Sequence, residues 1–162
     1  MTWRLMTKAI AATTIMFLCS GAVNAATPAK NANSNGGGNQ GERKVKVAIN
    51  VDGRRIVAEL EDNATSRDFV SQLPLTLKFE DYHATEKVSY LPRTLSTSGA
   101  PDGFDPSVGT VAYYAPWGNL AIFYNDFGYS RSLINLGRIV SGLDILTKTS
   151  SFNAKIERVE GE

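Results

Sequence analysis

Residues 109–126 read GTVAYYAPWGNLAIFYND, with five aromatic side chains between Tyr113 and Tyr124. The stretch parses as strand, turn, strand: TVAYYA (110–115), PWGN (116–119) and LAIFY (120–124). Proline presets φ for an early turn position and glycine accepts a positive φ, so PWGN is suited to reverse the chain. Successive side chains of a strand point to opposite faces. Val111 and Tyr113 therefore share one face, with Ala112 and Tyr114 on the other. On the return, Leu120, Ile122 and Tyr124 oppose Ala121 and Phe123. Large residues on both faces predict a wall with one side in a core and the other covered or lining a cleft. Most of the five aromatics are read as packing. Tyr114 and Trp117 are the ones placed to touch a ligand.

The same period of two recurs upstream. KVKVAINV (44–51) sets Val45, Val47, Ile49 and Val51 on one side, and RRIVAEL (54–60) sets Ile56, Ala58 and Leu60 together. Between them Asp52-Gly53 is the pair that supplies positive φ for a tight hairpin. The pattern then changes in DNATSRDFVSQLP (62–74). Phe69, Val70 and Leu73 lie at helical spacing, Thr65 is the expected N-cap, and Pro74 stops the helix. LTLKF (75–79) and KVSYL (87–91) are further strands, and PRTLSTSGAPDGFDPSVG (92–109) is a long loop of the kind that often carries function. Near the end, an apolar strand from Leu133 to Ile139 is interrupted by Gly137. Ser141 is the expected cap of a short helix, GLDILTK (142–148), and NAKIERV (153–159) closes as a strand. Many short strands, with one helix after the first hairpin and one near the end, predict a mainly β domain. Its expected form is a closed eight-stranded β-barrel with two short capping helices.

The first 25 residues have a positive start at Arg4 and Lys8, an apolar run from Ala9 to Leu18, and Val23-Asn24-Ala25 before a cut. This predicts a secretory signal peptide over 1–25. The apolar run falls short of the ~20 residues that span a bilayer, so no membrane association is expected after cleavage. Residues 26–42 contain no large apolar group and are expected to be a flexible linker, leaving 43–162 as the folded domain. The expected location is periplasmic or secreted. The only cysteine, Cys19, lies in the signal, so the mature domain has no disulfide, thiolate metal site or cysteine nucleophile. Without Arg4 and Lys8 the chain carries 15 basic and 16 acidic residues, a net charge of −1. With no basic block, nucleic acid is not an expected partner.

Other chemistries find little support. His83 is the only histidine, and with Glu80, Asp81 and Glu86 alone it makes a poor metal set and no Ser-His-Asp triad. Gly36-Gly37-Gly38 stands in the linker rather than between strand and helix, so it forms no phosphate loop. No metal and no cofactor is expected.

LGRIVSGLDIL (136–146) resembles the cyclophilin family, in which a strand ending Phe-Gly-Lys/Arg-Val leads through glycine to a short helix. Gly137, Arg138, Ile139, Gly142, Asp144 and Ile145 fit that pattern. Taken with DNATSRDF, QLPLTLKFEDY and YYAPWGNLAIFY, the domain is similar to bacterial cyclophilin-like proteins over nearly all of 44–160. The resemblance implies the barrel; the isomerase chemistry carries over poorly. Cyclophilins use an arginine in a Phe-His-Arg segment followed by Gln-Gly-Gly-Asp. Here TEKVSYLPRTLSTSG (85–99) has neither, and Leu133 stands at the pocket histidine. The resulting expectation is a binding module for a peptide or small molecule, its groove lined by Tyr114, Trp117 and Phe123 with Glu86 and Arg93 on the rim. The alternative is a divergent prolyl isomerase that uses Arg93. Relatives that occur beside flavodoxin-type domains add a redox protein as a possible partner.

Overall fold

A computed structural model describes residues 44–160. The expected signal peptide over 1–25, Cys19 and the expected linker over 26–42 lie outside the described residues. The elements run β1 (Val45–Val51), β2 (Arg54–Leu60), α1 (Ala64–Ser71), β3 (Leu75–Tyr82), β4 (Glu86–Tyr90), β5 (Gly103–Phe104), β6 (Thr110–Tyr114), β7 (Asn119–Phe123), β8 (Ser130–Arg131), β9 (Leu133–Ser141), α2 (Asp144–Thr147) and β10 (Ser151–Arg158). Eight strands close a barrel in the order β1-β10-β3-β4-β7-β6-β9-β2, and every pairing is antiparallel. The expected eight-stranded barrel is the one observed. Closure leaves no exposed sheet edge, which suits strands this short.

The alternating residues supply the core. Val47, Ile49 and Val51 of β1, Ile56, Ala58 and Leu60 of β2, and Leu77 and Phe79 of β3 are buried inside, where Phe79 stacks on Phe152 at 5.3 Å. The first hairpin turns at Asp52 (φ 46°) and Gly53 (φ 76°), two positive-φ positions as its sequence requires. The helices sit at opposite ends, because α1 follows β2, α2 follows β9, and those two strands are antiparallel neighbours. Phe69 from α1 and Ile145 and Leu146 from α2 enter the same core.

Both expected helix caps are corrected. The N-cap of α1 is Asn63, whose side chain accepts a hydrogen bond from the Ser66 amide at 2.8 Å. Thr65 lies two residues further in, and its hydroxyl donates instead to the Ser96 carbonyl at 2.7 Å. Asparagine and threonine are both good N-cap types, and the tertiary bond of Thr65 to Ser96 leaves the cap to Asn63. Ser141 belongs to β9, and α2 starts from Leu143 without a side-chain cap bond.

A β-bulge in β9 explains where α1 docks. Val111 pairs with Gly137 and Ala112 with Asn135, so Leu136 is left without a partner on β6. Its carbonyl accepts instead from the Glu61 amide at 2.8 Å and the Ser66 hydroxyl at 3.0 Å. The long loop also acts structurally. Leu95 is buried in the core at the α1 end, and its amide donates to the Tyr113 hydroxyl at 3.1 Å.

Candidate functional site

The wall predicted from residues 109–126 has two buried faces. Val111, Tyr113, Leu120 and Ile122 join the main core, while Ala112, Ala121 and Phe123 form a second cluster outside the barrel with Leu133. The cover over that outer cluster comes from two loops tied by the miniature β5–β8 pair, in which Gly103 pairs with Arg131 and Phe104 with Ser130. Gly103 lets the two backbones meet: a Cβ there would stand 2.3 Å from the Ser130 carbonyl oxygen.

The cover is incomplete, and the gap is a groove of ≈190 Å³ along β7. Its floor is Asn119, Ala121 and Leu133, all buried. Its walls are aromatic. Trp117 meets Tyr82 edge to face at 5.6 Å and Tyr114 at 5.5 Å, and Phe123 lies 5.9 Å from Phe127. Trp117 stays 47% exposed and Phe127 50%, so these two form the rim.

Four of the five candidate residues, Glu86, Tyr114, Trp117 and Phe123, line this groove. Arg93 is not in its lining. Its guanidinium instead donates to both carboxylate oxygens of Asp68, at 2.5 and 3.1 Å. Asp68 also accepts from the Ser96 amide at 2.7 Å, so the pair clasps the 91–102 loop to α1. The Arg93 hydrogen bond, then that of Ser96, hold the Asp68 carboxyl down at about 2.

The residues that sequence reading missed are Tyr82, Asn119, Phe127 and Ser130. The sequence reading PWGN puts Asn119 in the turn, but the turn occupies Ala115–Gly118 and Asn119 opens β7. That one-residue shift puts Asn119 opposite Tyr114 on the outer face. Tyr82 pairs across the β3–β4 hairpin with Glu86, a signal visible only once the register is known.

Two polar groups in the groove lack partners. The Asn119 side chain is 2% exposed as a residue, and its Oδ1 has no hydrogen bond among the described residues. Burial pushes the Glu86 carboxyl up to about 7 from an ordinary 4.5, and no hydrogen bond or neighbouring charge offsets that burial. Desolvation penalises the charged form, so Glu86 sits near half-ionised at neutral pH.

A stability prediction follows. The folded Glu86 holds its proton more tightly than the unfolded chain does, so its contribution to stability falls as pH rises from about 4.5 to about 7 and stays low above that. Glu86→Gln removes the penalty. Because the carboxyl is partly solvated, we expect a gain of only ~1–2 kcal/mol at pH 8, vanishing at pH 4. Urea denaturation of both proteins at the two pH values checks it; an equal gain at both would mean that charge is not the cause.

Comparison with known proteins gives the fold a family. The profile described as the cyclophilin-like family matches residues 49–157. The solution structure of a hypothetical protein from Archaeoglobus fulgidus superimposes with a TM-score of 0.55 at 19% identity, covering 74% of this chain and 99% of the archaeal one. Among curated proteins none matches. With the closed barrel, the two end helices and a family match over most of its folded length, the chain belongs to the cyclophilin-like family.

Proposed function

We propose that this domain is an exported binding module that holds a peptide or small ligand in the outer groove and does not catalyse prolyl isomerisation. The observation that carries the reading is the pair of unpartnered polar groups, Glu86 and Asn119, set among aromatic walls. Buried polar groups in folded proteins are almost always satisfied, so the buried Asn119 Oδ1 calls for an explanation, and a bound ligand supplies one. A mostly apolar cleft with a few convergent polar groups is the usual form of a ligand site. Its ≈190 Å³ lies below the roughly 300–1,000 Å³ of clefts for drug-sized molecules, so it suits a side chain or a small ligand. Isomerisation must lower a barrier of ~18–20 kcal/mol set by amide resonance. The residues through which cyclophilins act on it have no counterpart here, and Arg93 is engaged by Asp68. Export rests on the signal pattern of residues 1–25.

Trp117 is the only tryptophan between residues 44 and 160, so its emission reports on the groove. Titration with a panel of short peptides and small organic molecules is expected to shift it, with amide perturbations mapping to β4, β6 and β7. No shift with any compound, or perturbations confined elsewhere, would sink the reading. A protease-coupled proline-peptide assay is expected to run at the uncatalysed rate. Arg93→Ala should leave ligand affinity unchanged while speeding amide exchange at Ser96; loss of affinity would return Arg93 to the site.

A further inference from the structure

The chemistry of the lining says more about what the groove takes. It offers one carboxyl group, Glu86, and one unpartnered carbonyl oxygen, Asn119 Oδ1, and both accept hydrogen bonds. No lining residue is Lys, Arg or His, so nothing in the groove supplies a positive charge to either. Of the basic residues near the groove in the chain, two are occupied, and Arg131, beside the lining Ser130, is exposed and outside the lining. Lys87 turns into the barrel, where its Nζ donates to Asp81 at 2.5 Å and to the Thr149 carbonyl at 2.6 Å, and Arg93 is bound by Asp68. In the same lining stand the rings of Tyr82 and Tyr114, each in edge-to-face contact with Trp117. Aromatic faces carry negative electrostatic potential and attract cations, most strongly when the site is desolvated. An anionic ligand would meet a carboxylate and ring faces with no compensating donor, and a purely apolar one would leave both acceptors buried and unpaired. One class of ligand satisfies every wall at once.

Resting on the binding-site reading above, we infer that the groove recognises an organic cation with N–H donors, an alkylammonium or alkylguanidinium group. The charged head sits against Glu86 and Asn119 and its alkyl stem lies along the tyrosine and tryptophan rings. A lysine or arginine side chain of a peptide and a free small amine share this head group. The volume fits a head of that size.

The test uses the domain as purified and Trp117 emission, backed by calorimetry. The probes are n-butylammonium and n-butylguanidinium chloride, with n-butyramide as the neutral control, at constant ionic strength. At least one cation is expected to bind roughly tenfold or more tightly than the amide, and Glu86→Gln to abolish that preference. Glu86→Gln is close in shape and is expected to fold at least as stably as the parent, so its loss of binding will not reflect unfolding. Equal binding of cation and amide, or a preference that survives Glu86→Gln, overturns the cation assignment while leaving the groove a ligand site. Silence of Trp117 to all three probes overturns the assignment, and silence to the broader panel as well removes the binding-site reading with it. An acetylated, amidated Ala-Arg-Ala peptide distinguishes the sources. Tighter binding than butylguanidinium identifies a peptide side chain, and weaker binding a free amine or guanidine; either supports the cation.

Discussion

Replacing Gly137 with alanine is expected to destabilise the barrel by about 3 kcal/mol or more, the upper end of what overpacking costs. Gly137 has φ +152°, and a Cβ on it would stand 2.1 Å from the Glu59 carbonyl oxygen and 2.7 Å from the Leu60 Cα. Both obstacles are backbone, so no rotamer change relieves them. Those atoms belong to β2, which pairs with β9 through Glu59↔Arg138 and Leu60↔Gly137. To accept a methyl group the chain must part this seam of the barrel. Three kcal/mol corresponds to a fall in Tm of roughly 10 °C for a domain of this size. Gly53→Ala is the control. It also has positive φ, at +76°, but a Cβ there meets nothing within 4 Å. Only the backbone cost of ~1–2 kcal/mol then applies. Equal losses from the two alanines would show that conformational preference, rather than the close approach of β2, governs Gly137.

Lys87→Met is expected to cost about 2 kcal/mol or more at neutral pH. The lysine is 2% exposed, and its Nζ joins Asp81, the Thr149 carbonyl and, at 5.1 Å, the face of Tyr124. This links the β3–β4 hairpin to the segment after α2. Breaking a fully buried pair typically costs ~3–5 kcal/mol because a charge is stranded. Here the stranded group, Asp81, keeps some solvent and two donors, the Tyr124 hydroxyl at 2.5 Å and the Ala84 amide at 2.9 Å, which lowers the figure. The Lys87 hydrogen bond, followed by that of Tyr124, holds the Asp81 carboxyl below its ordinary 3.8. A depressed folded-state value stabilises above the unfolded-state one and is lost as pH falls through it. The cost of Lys87→Met should therefore shrink in acid. A double-mutant cycle with Asp81→Asn measures the pair itself. Coupling near zero, or a cost that does not change with pH, would assign the loss to packing around the lysine stem.

The barrel was legible in the sequence because its evidence is local. Alternation in 45–51, 54–60 and 120–123 follows from the two-residue repeat of a strand, and the Asp52-Gly53 turn from the φ its residues tolerate. The same alternation foretold a wall at 111–123 with one side in a core and the other covered or lining a cleft, and it set Tyr114 and Phe123 on faces away from Tyr113 and Ile122. It did not show what covers the outer side. That cover depends on β5 meeting β8, Gly103 with Arg131 and Phe104 with Ser130, 28 and 26 positions apart in the chain, through strands of two residues that leave no periodic signature.

Arg93 lay close in sequence to the expected site but was drawn away by Asp68, a partner 25 residues earlier on α1. Asn119 became part of the groove because β7 begins one residue earlier than PWGN suggested, and alternation then adds Asn119 to the face of Ala121 and Phe123. By itself, then, the sequence determined which residues are strands and which of their faces are apolar, because backbone geometry and hydrophobic burial act over a few neighbours. Only the tertiary structure decided which polar groups share a space without partners, because that is a matter of register, loop cover and competing hydrogen bonds between segments distant along the chain.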